Sequence, residues 1–275
     1  MPELPEVETV RNTLRPLIIG KTIQEVIILY PKIIENMDGA TFAKSLIGEK
    51  VEEINRRGKF LIFRFTHFDL ISHLRMEGKY QVVNEAATPI TKHTHILFTF
   101  TDGSQLRYQD VRKFGRMVLV LKNQALQYKS LVKLGPEPTA ENFLLADFAA
   151  QLKQSKKEIK PLLLEQKIVV GLGNIYVDET LWLSQIHPLR RANSLSDEEV
   201  VVLHDAIILV LQQAILAGGT TIRSYHNAVG EEGHFQQRLH VYGKTGLPCD
   251  RCGTPIVKIK VGGRGTHFCP QCQKE

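Results

Sequence analysis

The chain has 275 residues, 43% of them hydrophobic and 23% charged, with 35 Lys and Arg against 29 Asp and Glu for a net charge of +6. That length supports two domains with cores of their own, and the balance is that of a globular chain rather than a disordered one. The excess positive charge points to an anionic partner, although a basic surface without an assigned partner is also common. Glu3, Glu6 and Glu8 stand where a secretory leader would need an apolar run. The most apolar stretch, Val200 to Gly219, is interrupted by His204, Asp205, Gln212 and Gln213, which argues against a membrane span. All four cysteines fall between Cys249 and Cys272, and that clustering in a chain with no export signal suggests a metal site in a reducing cytosol.

In chain order, residues 4–16 read as a helix, with Val7, Val10, Leu14 and Leu17 at helical spacing and Pro16 as its stop. From Lys21 to about Leu121 the pattern becomes strand-like, in runs at 22–28, 60–65, 95–100 and 117–121. Turn signals separate them at Asp38-Gly39, Gly58, Asp102-Gly103 and Gly115, so this region is expected to be all-β, a sandwich carrying the first helix. Leu134-Gly-Pro-Glu-Pro138 reads as a domain linker. Beyond it, residues 143–154, 160–166, 175–185 and 196–217 read as helices, the last capped by Ser196 with acids in its first turn. From about residue 238 the tail returns to short strands around the cysteines.

Three motifs carry chemistry. The first is Pro2-Glu3. Removal of Met1 would leave Pro2 with a free secondary amine beside a carboxylate, and such an amine attacking a sugar C1′ forms an iminium, a covalent electron sink. With Met1 in place the same nitrogen is an inert amide, and a proline and an acid in a first turn also simply favour a helix start. The second motif is Cys249-x2-Cys252 followed by Cys269-x2-Cys272. Two such knuckles complete a tetrahedron around one zinc ion, and four thiolates leave no open position for catalysis, so the site is expected to be structural. The segment between the knuckles reads as a β-hairpin with Arg264 among Gly262, Gly263 and Gly265, a setting that lets backbone and guanidinium approach a phosphate. The third is Gly171-Leu-Gly-Asn174 ahead of a helix, with Asn174 as its N-cap and free N–H groups suited to an anion, an ordinary cap being the alternative. Lys153, Lys156, Lys157 and Lys160 would add charge there or form a solvated face.

The chain resembles the bacterial formamidopyrimidine-DNA glycosylases over its whole length. The resemblance is carried by Pro2-Glu-Leu-Pro-Glu-Val-Glu8, Arg57-Gly-Lys59, His73-Leu-Arg-Met76-Glu-Gly78, Arg112-Lys-Phe-Gly115, Leu134-Gly-Pro-Glu-Pro138, Val170-Gly-Leu-Gly-Asn-Ile-Tyr176, Gly218-Gly-Thr-Thr221 and the four-cysteine tail. It implies an α+β fold in two domains. Residues 1–133 would form an N-terminal β-sandwich catalytic domain with a helix at its start. Residues 134–150 would be the linker and the start of the helical domain. Residues 151–234 would be a helix-two-turn-helix DNA-binding domain with a lesion-capping loop at about 218–233, and 235–275 a zinc-finger hairpin.

The implied activity is excision of 8-oxoguanine and formamidopyrimidines from duplex DNA, followed by β,δ-elimination at the abasic site. Pro2 would be the nucleophile, Glu3 the acid/base that helps open the sugar, Lys59 an aid to elimination, and Arg264 a phosphate grip linked to the second elimination. Met76, Arg112 and Phe114 would fill the gap left by the everted nucleotide, although without the resemblance Met76 and Phe114 read as core residues. Asn174, Tyr242, Lys258 and His93 are expected at the DNA, and Thr220, Thr221, Arg223 and Tyr225 on the capping loop. One structural Zn2+ per chain, a monomer and a bacterial cytoplasmic location with a nucleoid substrate complete the expectation. Two rivals stay open. One is an endonuclease VIII-like enzyme for oxidised pyrimidines, which usually has Gly where this chain has Leu4. The other is a non-catalytic zinc-ribbon DNA-binding protein, which leaves Pro2-Glu3 unexplained.

Overall fold

This computed structural model describes residues 2–85, 87–221 and 230–274. The chain divides into two compact units, residues 1–132 with 218–234 and residues 133–217 with 235–275.

The first unit begins with α1 (Leu4–Ile18), β1 (Ile23–Ile28) and α2 (Gly39–Leu46), and continues through β2 (Val51–Arg57), β3 (Phe60–Phe65), β4 (Phe68–His73), β5 (Lys79–Val83), β6 (Thr94–Phe100), β7 (Gln105–Gln109) and β8 (Arg116–Leu121). The strands form two four-stranded sheets in the orders β1-β6-β7-β5 and β2-β3-β4-β8, every pairing antiparallel. Both sheets and both helices feed one core: Val7 and Leu14 from α1, Phe42 and Leu46 from α2, Leu61 and Phe63 from one sheet, and Tyr80, Phe98 and Tyr108 from the other.

Two expectations are corrected here. The region is not all-β, because Asp38-Gly39 opens a helix rather than a turn. Asp38 accepts the Thr41 N–H at 2.9 Å as an N-cap, and Phe42 and Leu46, one helical turn apart, bury against the sheet. Pro16 does not end α1, which runs on to Ile18. Leu14 and Ile18 lie one turn apart and fully buried, and the end closes with the Ile19 N–H on the Arg15 carbonyl at 3.2 Å.

The second unit contains α3 (Leu145–Lys153), α4 (Ile159–Leu164), α5 (Asn174–Leu183), α6 (Asp197–Leu216) and the hairpin β9 (Val257–Val261) and β10 (Arg264–Phe268). Ser196 and Glu199 close a capping box on α6, and Arg190 grips the Glu199 carboxylate through two bonds of 2.9 Å. Among the described residues α6 is the one helix long and apolar enough to cross a membrane, yet Leu203, Ile207 and Leu211 bury in the core of this unit. Gly135 of the expected linker sits against this same unit, where a Cβ would lie 2.3 Å from the Lys167 carbonyl oxygen.

The lysine face needs correcting at Lys160 alone, since Lys153, Lys156 and Lys157 are exposed. Lys153 pairs with Asp197 and Lys157 with Glu165, while Lys160 is fully buried. The Lys160 ammonium donates to Asp178 Oδ1 at 2.6 Å and to Thr266 Oγ1 at 2.8 Å, and Asp178 Oδ2 accepts the His267 N–H at 2.8 Å. One buried ion pair thus joins α4, α5 and β10. Replacing Lys160 by Met leaves the Asp178 charge buried without its partner, so K160M should lower unfolding free energy by about 3–5 kcal/mol, measured from urea melts of the two proteins.

Candidate active site

The start of α1 is held from several sides. Pro2 is buried and Glu3, the N-cap, is 2% exposed with an extended backbone. Glu6 folds back so that its Oε2 accepts the Glu3 N–H at 2.7 Å, and its Oε1 accepts the Thr220 N–H at 2.8 Å. Gly219, with φ +82°, permits that approach, since a Cβ there would lie 2.7 Å from Glu6 Oε1. Gly233 closes the base of the same loop. A Cβ on it would lie 2.2 Å from the Gly219 carbonyl oxygen, and its N–H donates to Thr221 Oγ1 at 2.9 Å. Thr220 and Thr221 therefore mark the root of the expected capping loop, while Arg223 and Tyr225 lie outside the described residues.

Lys59 stands in the tight turn between β2 and β3, where Gly58 takes φ +55°, the backbone that a type II′ hairpin turn needs at its first position. The lysine is 7% exposed. Arg56 fixes this turn to α1: its Nε donates to Glu8 Oε2 at 2.7 Å and its Nη1 to the Gly58 carbonyl at 2.9 Å. His73, at the end of β4, meets the Phe60 ring edge-on at 4.5 Å and accepts the Arg75 N–H on Nδ1 at 2.9 Å. Burial, then the charges of Arg75 and Lys59, push its pKa down to about 3, so it is a neutral imidazole at physiological pH.

The three expected gap-filling residues sit on two turns of this unit. Met76 is half-buried between β4 and β5, and Arg112 and Phe114 are exposed between β7 and β8. Phe114 is 46% exposed, so it is not the core residue its type suggests, and the Arg112 guanidinium stacks 4.7 Å from its ring centroid. His93 is half-buried next to β6, and its carbonyl accepts the Asp110 N–H at 3.0 Å.

In the second unit Asn174 is the first residue of α5 rather than its cap, a place taken by Gly173. Its side chain turns to the hairpin, with Nδ2 donating to the Gly265 carbonyl at 2.9 Å and Oδ1 buried without a partner among the described residues. Gly262 and Gly263 form the hairpin turn at φ +53° and +78°, and Arg264 follows, exposed, as the first residue of β10. Lys258 is exposed on β9 beside Gly265, and Tyr242 packs edge-on to His267 at 4.9 Å with its N–H on Glu179 Oε1 at 2.8 Å. Burial raises the Glu179 carboxyl against the pull of three N–H donors, from Tyr242, His240 and Val241.

The sulfurs of Cys249, Cys252, Cys269 and Cys272 lie within 4.8 Å of one another, with Cys249–Cys272 at 3.9 Å and Cys252–Cys269 at 3.5 Å. Zinc bound at about 2.3 Å to four thiolates sets tetrahedral edges of about 3.8 Å, so the cage fits one ion. Trp182 Nε1 donates to Cys249 Sγ at 3.3 Å, a contact that orients the ligand and eases its charge. The Arg251 guanidinium lies 3.9 Å from the indole centroid and the His240 ring stacks at 4.0 Å.

Comparison with known proteins agrees with this geometry. Three family models match: the formamidopyrimidine-DNA glycosylase N-terminal domain over residues 1–117, its H2TH domain over 134–226, and a zinc finger found in FPG and IleRS over 246–274. The chain therefore belongs to the formamidopyrimidine-DNA glycosylase family. It is 63% identical over 274 residues to the formamidopyrimidine-DNA glycosylase of Enterococcus faecalis, covering 100% of this chain and 98% of that one. Two solved structures of the Lactococcus lactis protein superpose with TM-score 0.95. A mutant bound to Fapy-dG-containing DNA is 49% identical, with 100% of both chains covered. The complex with abasic-site DNA is 50% identical and covers 99% of this chain and 100% of that one. The zinc finger and its four clustered thiols hold one structural zinc ion.

Sequence reasoning missed the supporting residues Glu6, Arg56 and His73. Glu6 has a local signal, an acid three residues after the N-cap. Arg56 has none, because its partner Glu8 is 48 residues away.

Two measurements test this site. A histidine whose pKa falls on folding adds stability that is complete above its unfolded value near 6.5 and is lost as pH drops from there towards about 3. The native protein should lose up to about 1.4 kcal/mol of stability per pH unit through this group below pH 6, and H73Q should flatten that part of the pH–stability curve. Metal analysis should give about one zinc per chain, and Cys252→Ser should abolish its retention after dialysis against a chelator.

Proposed function

We infer that this chain is a bifunctional DNA glycosylase and abasic-site lyase of base excision repair. It acts on double-stranded DNA that carries an oxidised purine, 8-oxoguanine or a formamidopyrimidine, or an abasic site. The observation that carries this reading is the immobilised Pro2-Glu3 start of α1, in a chain that matches glycosylases from end to end. Whole-chain identity of 63% to a formamidopyrimidine-DNA glycosylase favours the purine-lesion reading over the non-catalytic one, while a solved complex of the 49% identical Lactococcus lactis protein with DNA containing an oxidised pyrimidine keeps such lesions among the candidate substrates.

The chemistry follows from the residues. A paired base hides its C1′, so the nucleotide leaves the stack at a cost of a few kcal/mol. Met76, Arg112 and Phe114 fill the gap and offset part of that cost, with Arg112 facing the orphaned base. Once Met1 is cleaved, the Pro2 amine attacks C1′ and the damaged base departs. An α-amino group titrates near 8 in water, and burial at a helix N-terminus disfavours the ammonium form, leaving more free amine. Glu3 protonates the sugar as its ring opens, giving an iminium between Pro2 and C1′. The iminium acidifies the C2′ hydrogen. Loss of that proton expels the 3′ phosphate, and a second elimination expels the 5′ phosphate, with Lys59 assisting elimination and Arg264 linked to its second step. Asn174, Tyr242, Lys258 and His93 hold backbone phosphates. Thr220 and Thr221, with Arg223 and Tyr225 outside the described residues, are assigned to capping the everted base. Zinc supplies structure alone, because four thiolates leave it no open position.

We assign the domains as 1–133, 134–150, 151–234 and 235–275. One chain carries every residue given a role, so a monomer in the bacterial cytoplasm, working on nucleoid DNA, suffices. Borohydride added during reaction with an 8-oxoguanine:C duplex should trap a covalent protein–DNA adduct that peptide mapping places on Pro2. Acetylation of the terminal amine should abolish both trapping and strand cutting, and full-rate cutting of abasic DNA by the acetylated protein would remove Pro2 as the nucleophile.

A further inference from the structure

We propose that Tyr108 is a positioning residue for base eversion: its hydroxyl is the shared floor of the two turns that present Met76 and the Arg112–Phe114 pair. The proposal rests on the gap-filling role given to those three residues above.

Strand pairing makes the two turns neighbours. The first runs from β4 to β5 and the second from β7 to β8, so each crosses from one sheet to the other. At their roots His73 pairs with Arg116 in one sheet and Lys79 with Gln109 in the other. Tyr108 lies in β7, one residue before that second root. It is fully buried, with its ring against Tyr80 at 5.3 Å.

The hydroxyl reaches both turns at once. A Cβ on Gly115 would lie 1.6 Å from the Tyr108 oxygen, and one on Gly78 would lie 2.4 Å from it. At Gly115 the oxygen is the worst obstacle to a side chain, and at Gly78 it shares that role with the Leu74 carbonyl oxygen, 2.5 Å from the same Cβ, so each turn packs backbone directly on the phenol. Asp110 ties the second turn to the same point. Its Oδ2 accepts the Gly115 N–H at 2.8 Å and the Tyr108 O–H at a longer 3.4 Å, while Oδ1 accepts the Arg112 N–H at 3.0 Å. The first turn closes on itself through the Gly78 N–H and the Leu74 carbonyl at 2.9 Å. Burial and the nearby Asp110 carboxylate raise the phenol's pKa, so it stays a donor.

Both turns also hold an unfavourable backbone. Arg75 has φ +56° and Lys113 has φ +58°, and each immediately precedes a gap-filling residue, Met76 or Phe114. A left-handed non-glycine residue is unfavourable and persists where its surroundings over-determine it. Here the surroundings are the Asp110 carboxylate under one turn, the Leu74 carbonyl in the other, and the phenol oxygen that both turns touch. The two turns consequently cannot shift independently, and the spacing between Met76 and Phe114 is set below them, in the core.

The test is single-turnover kinetics of Tyr108→Phe, which removes the oxygen and keeps the ring. Excision of 8-oxoguanine paired with C requires eversion, whereas a preformed abasic site has no base pair to break. The ratio of the first rate to the second should fall about tenfold in Y108F, the scale expected when a group is slightly misplaced. An unchanged ratio, whether both rates hold or both drop together as in a merely unstable variant, overturns the proposal. Gly115→Ala should slow excision further, and Y108F in the same chain should restore part of that loss because the worst overlap is gone; absence of any recovery also overturns it. Phe114→Ala is measured alongside. Full-rate excision by F114A defeats the gap-filling reading itself, while slow F114A with an unchanged Y108F ratio defeats only the role of Tyr108.

Discussion

The Glu6 carboxylate accepts one backbone N–H from Glu3 and another from Thr220, and Glu8 beside it holds Arg56, whose other arm grips the Gly58 carbonyl. The first residues of a domain ordinarily fray. The covalent catalysis proposed for that position requires the opposite, since a nucleophile must be kept at a defined distance from its target. Two buried acids in the first two turns of α1, Glu6 and Glu8, supply that rigidity, and by the same bonds they fix the Lys59 turn and Thr220. Three separate segments of the first unit thus take their positions from the start of one helix.

The second unit solves a related problem with different chemistry. Its hairpin is short, and a two-stranded ribbon is marginal in water by itself. Zinc ties its base. The Lys160–Asp178 pair anchors β10 to two helices, and Asn174 holds the Gly265 carbonyl. Arg264 is therefore exposed on a strand whose backbone is fixed from below, an arrangement suited to meeting a phosphate without a large entropic loss.

Local chemistry was legible in the sequence, and long-range chemistry was not. The cysteine knuckles announce their cage because each pair is only two residues apart, and Ser196 announces α6 because its capping partner Glu199 lies three residues on. Asp38-Gly39 misleads because the same two residues suit a turn and a helix start, and the deciding factor, burial of Phe42 and Leu46, is tertiary. Lys160 reads as one more surface lysine because its partners Asp178 and Thr266 are 18 and 106 residues away. Pro16 reads as a stop since nothing local reveals that Ile18 is buried. The glycines at 78 and 115 are visible as turn signals, but only the fold shows that one phenol oxygen lies against both.

Trp182 is the chain's sole tryptophan, and its indole N–H rests on the sulfur of Cys249 between the planes of Arg251 and His240. Excited indole is sensitive to neighbouring thiolates, imidazoles and guanidinium groups. All intrinsic tryptophan emission of this protein consequently originates at the edge of the cysteine cage, and the chain carries its own optical gauge of whether that cage is intact.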